Sequence, residues 1–197
     1  MSARHGRVLV IDVGTTGTRA AIVDADARVG HVEYRRTPPE SPFPGLVEFD
    51  AMALADTTLD LARTVLAAAG PVDAVGISTQ RASTVVWDRR TGVPIAPALG
   101  WQDLRTVGEC ISAKSDHGLS LAPNQTATKA AWLLAQHDPS RQRDLCIGTV
   151  DSWLVWQLSR GAAHVTDRSN AAVTGLARID GTDWDDAVLD VLRIDRA

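Results

Sequence analysis

The chain has 197 residues, with 20 Lys or Arg against 24 Asp or Glu, a formal net charge of -4, 45% hydrophobic and 22% charged residues. That composition is expected of a soluble globular protein long enough to bury a sizeable core, and its mild acidity argues against a nucleic-acid binder, which carries a basic excess or stripe. Two cysteines, Cys110 and Cys146, are too few for a disulfide framework or an unaided tetrahedral zinc site, and no run approaches the roughly 20 apolar residues of a membrane span. Reduced thiols in a cytoplasmic protein are the expectation. The opening residues meet Asp12 and Gly14 too early for a signal-peptide core. Eighteen of the twenty basic residues are Arg, which reads as codon bias.

In chain order, Val8–Asp12 is a short apolar run closed by an acid, and it reads as a buried strand. Arg19–Asp24 reads as a second strand and the alternating Val29–Tyr34 as a third, so the chain opens on a three-strand antiparallel meander. The proline-rich stretch Thr37–Gly45 is a loop too short for a domain linker. Asp50 stands at the N-cap of a helix with a stripe of Ala55, Leu59, Ala62, Val65, Leu66 and Ala69, ending at Gly70-Pro71; Leu54 and Leu61 lie off that stripe, so a broad buried face is expected. Val72–Ser78 and Thr84–Trp87 read as strands, with a turn at Asp88–Gly92. Helices are expected at Leu104–Ala113, Thr126–Gln136, Val150–Leu158 and Trp184–Leu192, with a short strand at Leu145–Gly148. A meander followed by alternating helices and strands is an α/β pattern, and the meander departs from a plain Rossmann order.

The segment Asp12-Val-Gly-Thr-Thr-Gly-Thr-Arg19 carries the most chemistry. Two glycines let a backbone turn tightly and approach a ligand, and successive N–H groups there form an anion-binding nest. Thr15, Thr16 and Thr18 add hydroxyls and Arg19 a charge. Asp12, at the strand end, suits a hydrated Mg2+ that bridges to phosphate oxygens. The pattern is neither a Walker A loop nor GxGxxG. An ordinary hairpin with a Gly-Thr turn is the competing reading.

Val10–Ala20 resembles the opening of the FGGY carbohydrate kinases, the glycerol kinase branch above all. The likeness continues in order through Gly45–Asp50, Ala74–Arg81, Thr84–Asp88, Thr91–Pro94, Trp101–Arg105, Thr128-Lys129, Gly148–Trp156, His164–Asp167, Ser169–Ala171 and Asp183–Asp186, covering nearly the whole chain. The resemblance implies an actin-like, ribonuclease H-like α/β domain with a mixed sheet opened by the antiparallel meander. It implies transfer of the γ-phosphoryl of ATP to a hydroxyl of a polyol or sugar, with Mg2+. Two domains enclose a cleft in this family: the first supplies the phosphate turn and most acceptor contacts, the second the adenosine site and the general-base Asp. Residues 1–197 are thus expected to form the N-terminal domain, incomplete at its C-terminal end and without the catalytic base. The resemblance assigns Mg2+ to Asp12 and phosphate contacts to Gly14, Thr15, Thr16 and Arg19. It assigns the acceptor to Arg81 and Trp101, with Asp103 as a further acid and Asn124 shaping the pocket. Expected partners are the polyol or sugar and a separately encoded second half, with homo-oligomers in the manner of the family, and neither nucleic acid nor membrane.

Two positions depart from the glycerol kinase pattern. Ala82 stands where that branch has a Glu after Gln-Arg, and Asn124 where it has a Tyr. A hydrogen bond to a charged group is worth about 1.5–3 kcal/mol, so its loss weakens glycerol binding roughly 10- to 100-fold. The acceptor is therefore not necessarily glycerol. Removing a general base costs about 10²–10⁴-fold, so the chain alone is expected to have little or no kinase activity. The alternatives are a non-catalytic fragment or complementing binding module, and another actin-like ATPase; the Gln80-Arg81 and Trp101 blocks favour the sugar-kinase side. Trp132, Trp153 and Trp156 are expected in the core. His31, His137 and His164 are expected in structural roles, His5 and His117 in solvent, and Lys129 capping or pairing within its helix. Neither cysteine has a nucleophile's surroundings. Asp167 and Asn170 are candidates to fix a loop beside the cleft.

Overall fold

The computed structural model describes residues 6–196, and His5 lies outside them. The chain falls into two compact units: one comprises residues up to Pro39 with Met52–Gln80, the other Glu40–Ala51 with Arg81 onward.

In the first unit, β1 (Val8–Val13), β2 (Gly17–Val23) and β3 (Val29–Arg36) form the antiparallel meander, with Asp12 opposite Arg19 and Arg19 opposite Tyr34. β4 (Glu48–Phe49) belongs to the second unit and leads into α1 (Ala51–Ala69). β5 (Ala74–Thr79) then lies parallel to β1, giving the sheet order β3-β2-β1-β5. Period-2 alternation buries Leu9, Ile11 and Val13 on one face of β1 and leaves Asp12 on the other.

The buried stripe of α1 is Ala51, Leu54, Ala55, Thr58, Leu61, Ala62 and Val65. Leu54 and Leu61 are buried with it, so the buried face is broad as expected, and Leu59 and Leu66 flank it half-buried. Thr58 is a member of the stripe that apolar periodicity does not announce. This polar residue sits at its centre because its hydroxyl donates to the Leu54 carbonyl one turn back. At the helix end, the Arg7 guanidinium donates to the Ala69 carbonyl, one of the acceptors a helix leaves unpaired. Arg7 and Asp73 exchange two more bonds, which set β5 beside the start of β1.

The second unit holds two short antiparallel pairs. β4 pairs with β7 (Ala98–Leu99), and β6 (Val85–Asp88) with β8 (Leu145–Gly148). Its helices are α2 (Val107–His117), α3 (Thr126–His137), α4 (Val150–Ser159), α5 (Arg168–Ala171) and α6 (Asp186–Leu192). α2 starts three residues later than its periodicity suggests, because Asp103 and Arg105 are taken up in a turn. α6 starts after Trp184, which bridges instead to Ala177, and the Asp185 carboxylate caps it through the Ala187 and Val188 N–H groups. The core gathers Val86, Leu99, Ala127, Leu133 and Leu189. Beside it, Trp87 meets Trp153, Trp156 and His164 edge-on at 5.2, 5.8 and 5.1 Å between ring centres. Burial holds the His164 imidazole below its ordinary pKa, while its bond to the Ile147 carbonyl opposes the shift.

Candidate functional site

The Gly14–Gly17 turn closes the β1–β2 hairpin. Its Gly14 N–H donates to the Gly17 carbonyl at 2.9 Å, so this donor is used internally. The Thr18 hydroxyl is fully buried and pairs with that of Thr37 at 3.2 Å. Both groups were expected among the anion donors, and the hairpin consumes both. What the turn presents outward is the exposed Thr16, the half-buried Thr15 and the exposed Arg19 guanidinium. A Cβ on Gly17 would lie 2.3 Å from the Tyr34 hydroxyl, so the exposed Tyr34 ring would have to shift to admit one. Tyr34 in turn carries the Arg19 guanidinium 5.0 Å from its ring centre.

Asp12, Arg19 and Tyr34 therefore form one row across three strands, on the face opposite the Leu9–Val13 stripe. The Asp12 carboxylate is half-exposed and 3.3 Å from Arg19. Among the described residues no group of three or more His, Cys, Asp or Glu gathers as a metal cage. One accessible carboxylate beside a turn with hydroxyl donors does fit Mg2+, which keeps its waters and is held by one or two carboxylates plus phosphate oxygens.

In the second unit, Arg81 is exposed and Trp101 is 39% exposed. The Trp101 N–H donates at 3.0 Å to the hydroxyl of Ser83, two residues after Arg81. Between them Ala82 is buried at φ 61°, a left-handed conformation unusual for a residue with a Cβ. Its N–H donates to the Asn170 side-chain carbonyl at 3.4 Å and its carbonyl accepts from the Thr126 hydroxyl at 3.3 Å. Asn170 is itself buried and donates to Asp151 at 2.6 Å and Thr149 at 3.0 Å. The Ala82 N–H belongs to the peptide unit that follows Arg81, so this network fixes how Arg81 leaves the chain. Asp167 caps α5 by accepting from Ser169 and Asn170. Those bonds, Ser169 first, hold its carboxyl below the ordinary range, and the Arg81 charge adds to the effect.

Asp103 does not join this surface. It is 0% exposed. Both of its oxygens are engaged, by the Arg105 guanidinium at 2.8 Å, the Arg105 N–H at 2.9 Å and the Val47 N–H at 2.7 Å. Burial pushes its pKa up, yet the Arg105 and Val47 bonds hold it below the ordinary value. Arg105 also reaches Glu48 at 2.6 Å and lies 4.8 Å from the Trp132 ring centre. Asp103 is thus part of the framework under Trp101, not an acceptor contact. Asn124 is exposed, and its backbone carbonyl accepts from Lys129 Nζ. Lys129, expected to act within its own helix, is fully buried and reaches across to the Gly100 carbonyl. The clue to it in the sequence is a lone Lys inside the buried run Thr126–Ala130; Ser83 carries no such clue.

A cleft of about 400 Å3 is lined by Thr149, Ser152, His164, Thr166, Trp184 and neighbouring residues, but by none of Arg81, Trp101, Asp103 or Asn124. Both cysteines are free and buried, and burial pushes the Cys146 thiol up to about 11, far from a nucleophile's range. No helix among the described residues is long and apolar enough to cross a membrane.

A mixed α/β sheet opened by an antiparallel meander, with an acid at the end of its first strand, defines the fold class of sugar-kinase N-terminal domains. Solved structures agree. Glycerol kinase of Plasmodium falciparum with ADP superposes with a TM-score of 0.86 at 23% identity over 96% of this chain and 41% of that one. Ligand-bound xylulose kinase of Lactobacillus acidophilus gives 0.85 at 20% identity over 96% and 40%. The sequence profile of the FGGY family of carbohydrate kinases, N-terminal domain, matches residues 7–197. A glycerol kinase of Trichlorobacter lovleyi is 42% identical over 95% of this chain, and one of Salmonella paratyphi B is 38% identical over 96%. The chain belongs to the FGGY family of carbohydrate kinases. It spans 41% of the length of these two relatives.

Proposed function

We propose that the chain carries the phosphate-handling and acceptor-holding parts of an ATP-dependent kinase that phosphorylates a hydroxyl of a polyol or sugar. The observation that carries this reading is that Arg81 and Trp101 are both accessible on one compact unit, with the Trp101 backbone bonded to Ser83, two residues after Arg81. A guanidinium offers a planar fork of donors to neighbouring hydroxyls, and an indole covers the apolar C–H face of a carbon chain. In the first unit, Asp12 would hold Mg2+, and Thr15, Thr16 and Arg19 would orient phosphate oxygens. When bound, the cation neutralises charge on the phosphoryl group, which suits a reaction that depends on positioning and electrostatics. The proton of the acceptor hydroxyl is left to a base in a second half, the partner this reading requires. Two free buried thiols suit a reducing, cytoplasmic setting.

Glycerol is not necessarily the acceptor, since Ala82 offers no carboxylate. Titrating the chain with a panel of polyols and pentoses, and separately with ADP and Mg2+, tests both parts. Polyol-induced NMR shifts are expected at Trp101 and Arg81, and Mg2+-dependent ADP shifts at Thr15, Thr16 and Arg19. Glycerol binding best of the panel to the unaltered chain would refute the specificity claim. Silence at both sets of residues would refute the function.

A further inference from the structure

The peptide unit joining Gly100 to Trp101 is held at both polar atoms by side chains. Its carbonyl accepts from Lys129 Nζ at 3.1 Å, beside the Asp103 N–H at 3.1 Å, and its N–H donates to Ser83 Oγ at 3.0 Å. Lys129 and Ser83 are both fully buried. The same ammonium reaches the Asn124 carbonyl at 3.4 Å, so it ties the backbone entering Trp101 to the backbone of Asn124. Gly100 is pressed against Val47: its N–H donates to the Val47 carbonyl at 2.8 Å, and a Cβ on it would lie 2.7 Å from Val47 Cγ1. A peptide unit is planar, so fixing both of its polar atoms sets the backbone direction from which the indole departs.

A buried ammonium is a costly way to fill space, and an apolar side chain of similar volume would do it more cheaply. Desolvation pulls Lys129 down to about 8 even with the Asp103 carboxylate opposing it. What Lys129 supplies, and Met would not, is directional bonding to two backbone segments at once. Those segments carry two residues of the proposed acceptor surface.

We propose that Lys129 is a positioning residue which, with Ser83, fixes the direction of the Trp101 indole and its spacing from Asn124, and so shapes the acceptor surface. The inference rests on the preceding reading only for what that surface binds; the clamp belongs to the free chain.

The test compares the full chain with K129M and S83A by amide hydrogen exchange and NMR without ligand, then with glycerol and D-xylulose as probes. In K129M the Trp101 amide should exchange about tenfold faster and its indole resonance, assigned with W101F, should move, while the Trp87 and Trp153 indoles stay in place. S83A should also release the Trp101 amide, and both variants should bind the better probe several-fold more weakly. An unchanged Trp101 amide in both variants would overturn the proposal. So would a uniform acceleration through the second unit, or probe binding unaltered despite a loosened Trp101. If K129M does not fold, S83A decides by the same readouts, since it removes one acceptor and leaves the buried charge in place. If the unaltered chain responds to neither probe, the acceptor reading fails, and the exchange data still decide whether the clamp exists.

Discussion

Gly17 lies beneath the Tyr34 ring of the neighbouring strand β3. A Cβ on Gly17 would come within 2.6 Å of three Tyr34 atoms. Because Tyr34 is 51% exposed and its ring can swing aside, G17A is expected to destabilise by about 1 kcal/mol or less, and the double change G17A/Y34A to recover most of it. Urea unfolding of the three variants checks this; a double variant no better than G17A would show that the clash is not the cause. Asp12 bears on ligand chemistry instead. D12N should leave the urea midpoint nearly unchanged, because its exposed pair with Arg19 contributes little. It should lower Mg2+-dependent ADP affinity by about tenfold or more, read by calorimetry. Asp12, Arg19, Arg81 and Trp101, the candidates that residue type singles out, are all at least partly exposed. Residue type did not announce Asp103, because an Asp two places before an Arg looks the same in sequence whether it faces a sugar or closes on that Arg. Only the fold, which lays Val47 against it, separates the two.

The helices and strands were legible where a period ran unbroken and blurred where a polar residue sat inside it. β1 to β3 follow from alternation and turn residues, and α3 and α4 begin where expected. The α1 stripe omits Thr58, which hides its hydroxyl in the helix backbone. The two-residue pair β4–β7 is too short to leave any period. α3 carries the most testable electrostatics. Its Lys129 has a pKa lowered from 10.5 to about 8, chiefly by burial and against the charge of Asp103. Between those values the unfolded chain binds a proton that the folded chain has released, so this residue's contribution to stability rises with pH from about 8 to about 10.5 and is flat below. The difference in unfolding free energy between the unaltered chain and K129M should follow that course in a pH series of urea titrations. A flat difference would mean that the buried amine keeps its proton throughout.

At the scale of the molecule, the sheet of the first unit ends differently on its two sides. β3 closes one side with His31, Glu33, Arg35 and Arg36 on an exposed strand, the kind of charged border that discourages another strand from adding on. β5 closes the other side with Ala-Val-Gly-Ile-Ser-Thr, which carries no charge and no proline, and Val75 is 52% exposed there. Its hydrogen-bonding edge away from β1 is that of a short, neutral, β-prone strand, the type that recruits a neighbour. The 197-residue chain is therefore expected to self-associate as its concentration rises, and V75K to shift that onset upward in light scattering without changing the unfolding midpoint. An onset that V75K does not move would place the contact elsewhere. In practical terms, the limit on handling this polypeptide at high concentration lies in one strand of six residues, and a single surface lysine is the remedy to try first.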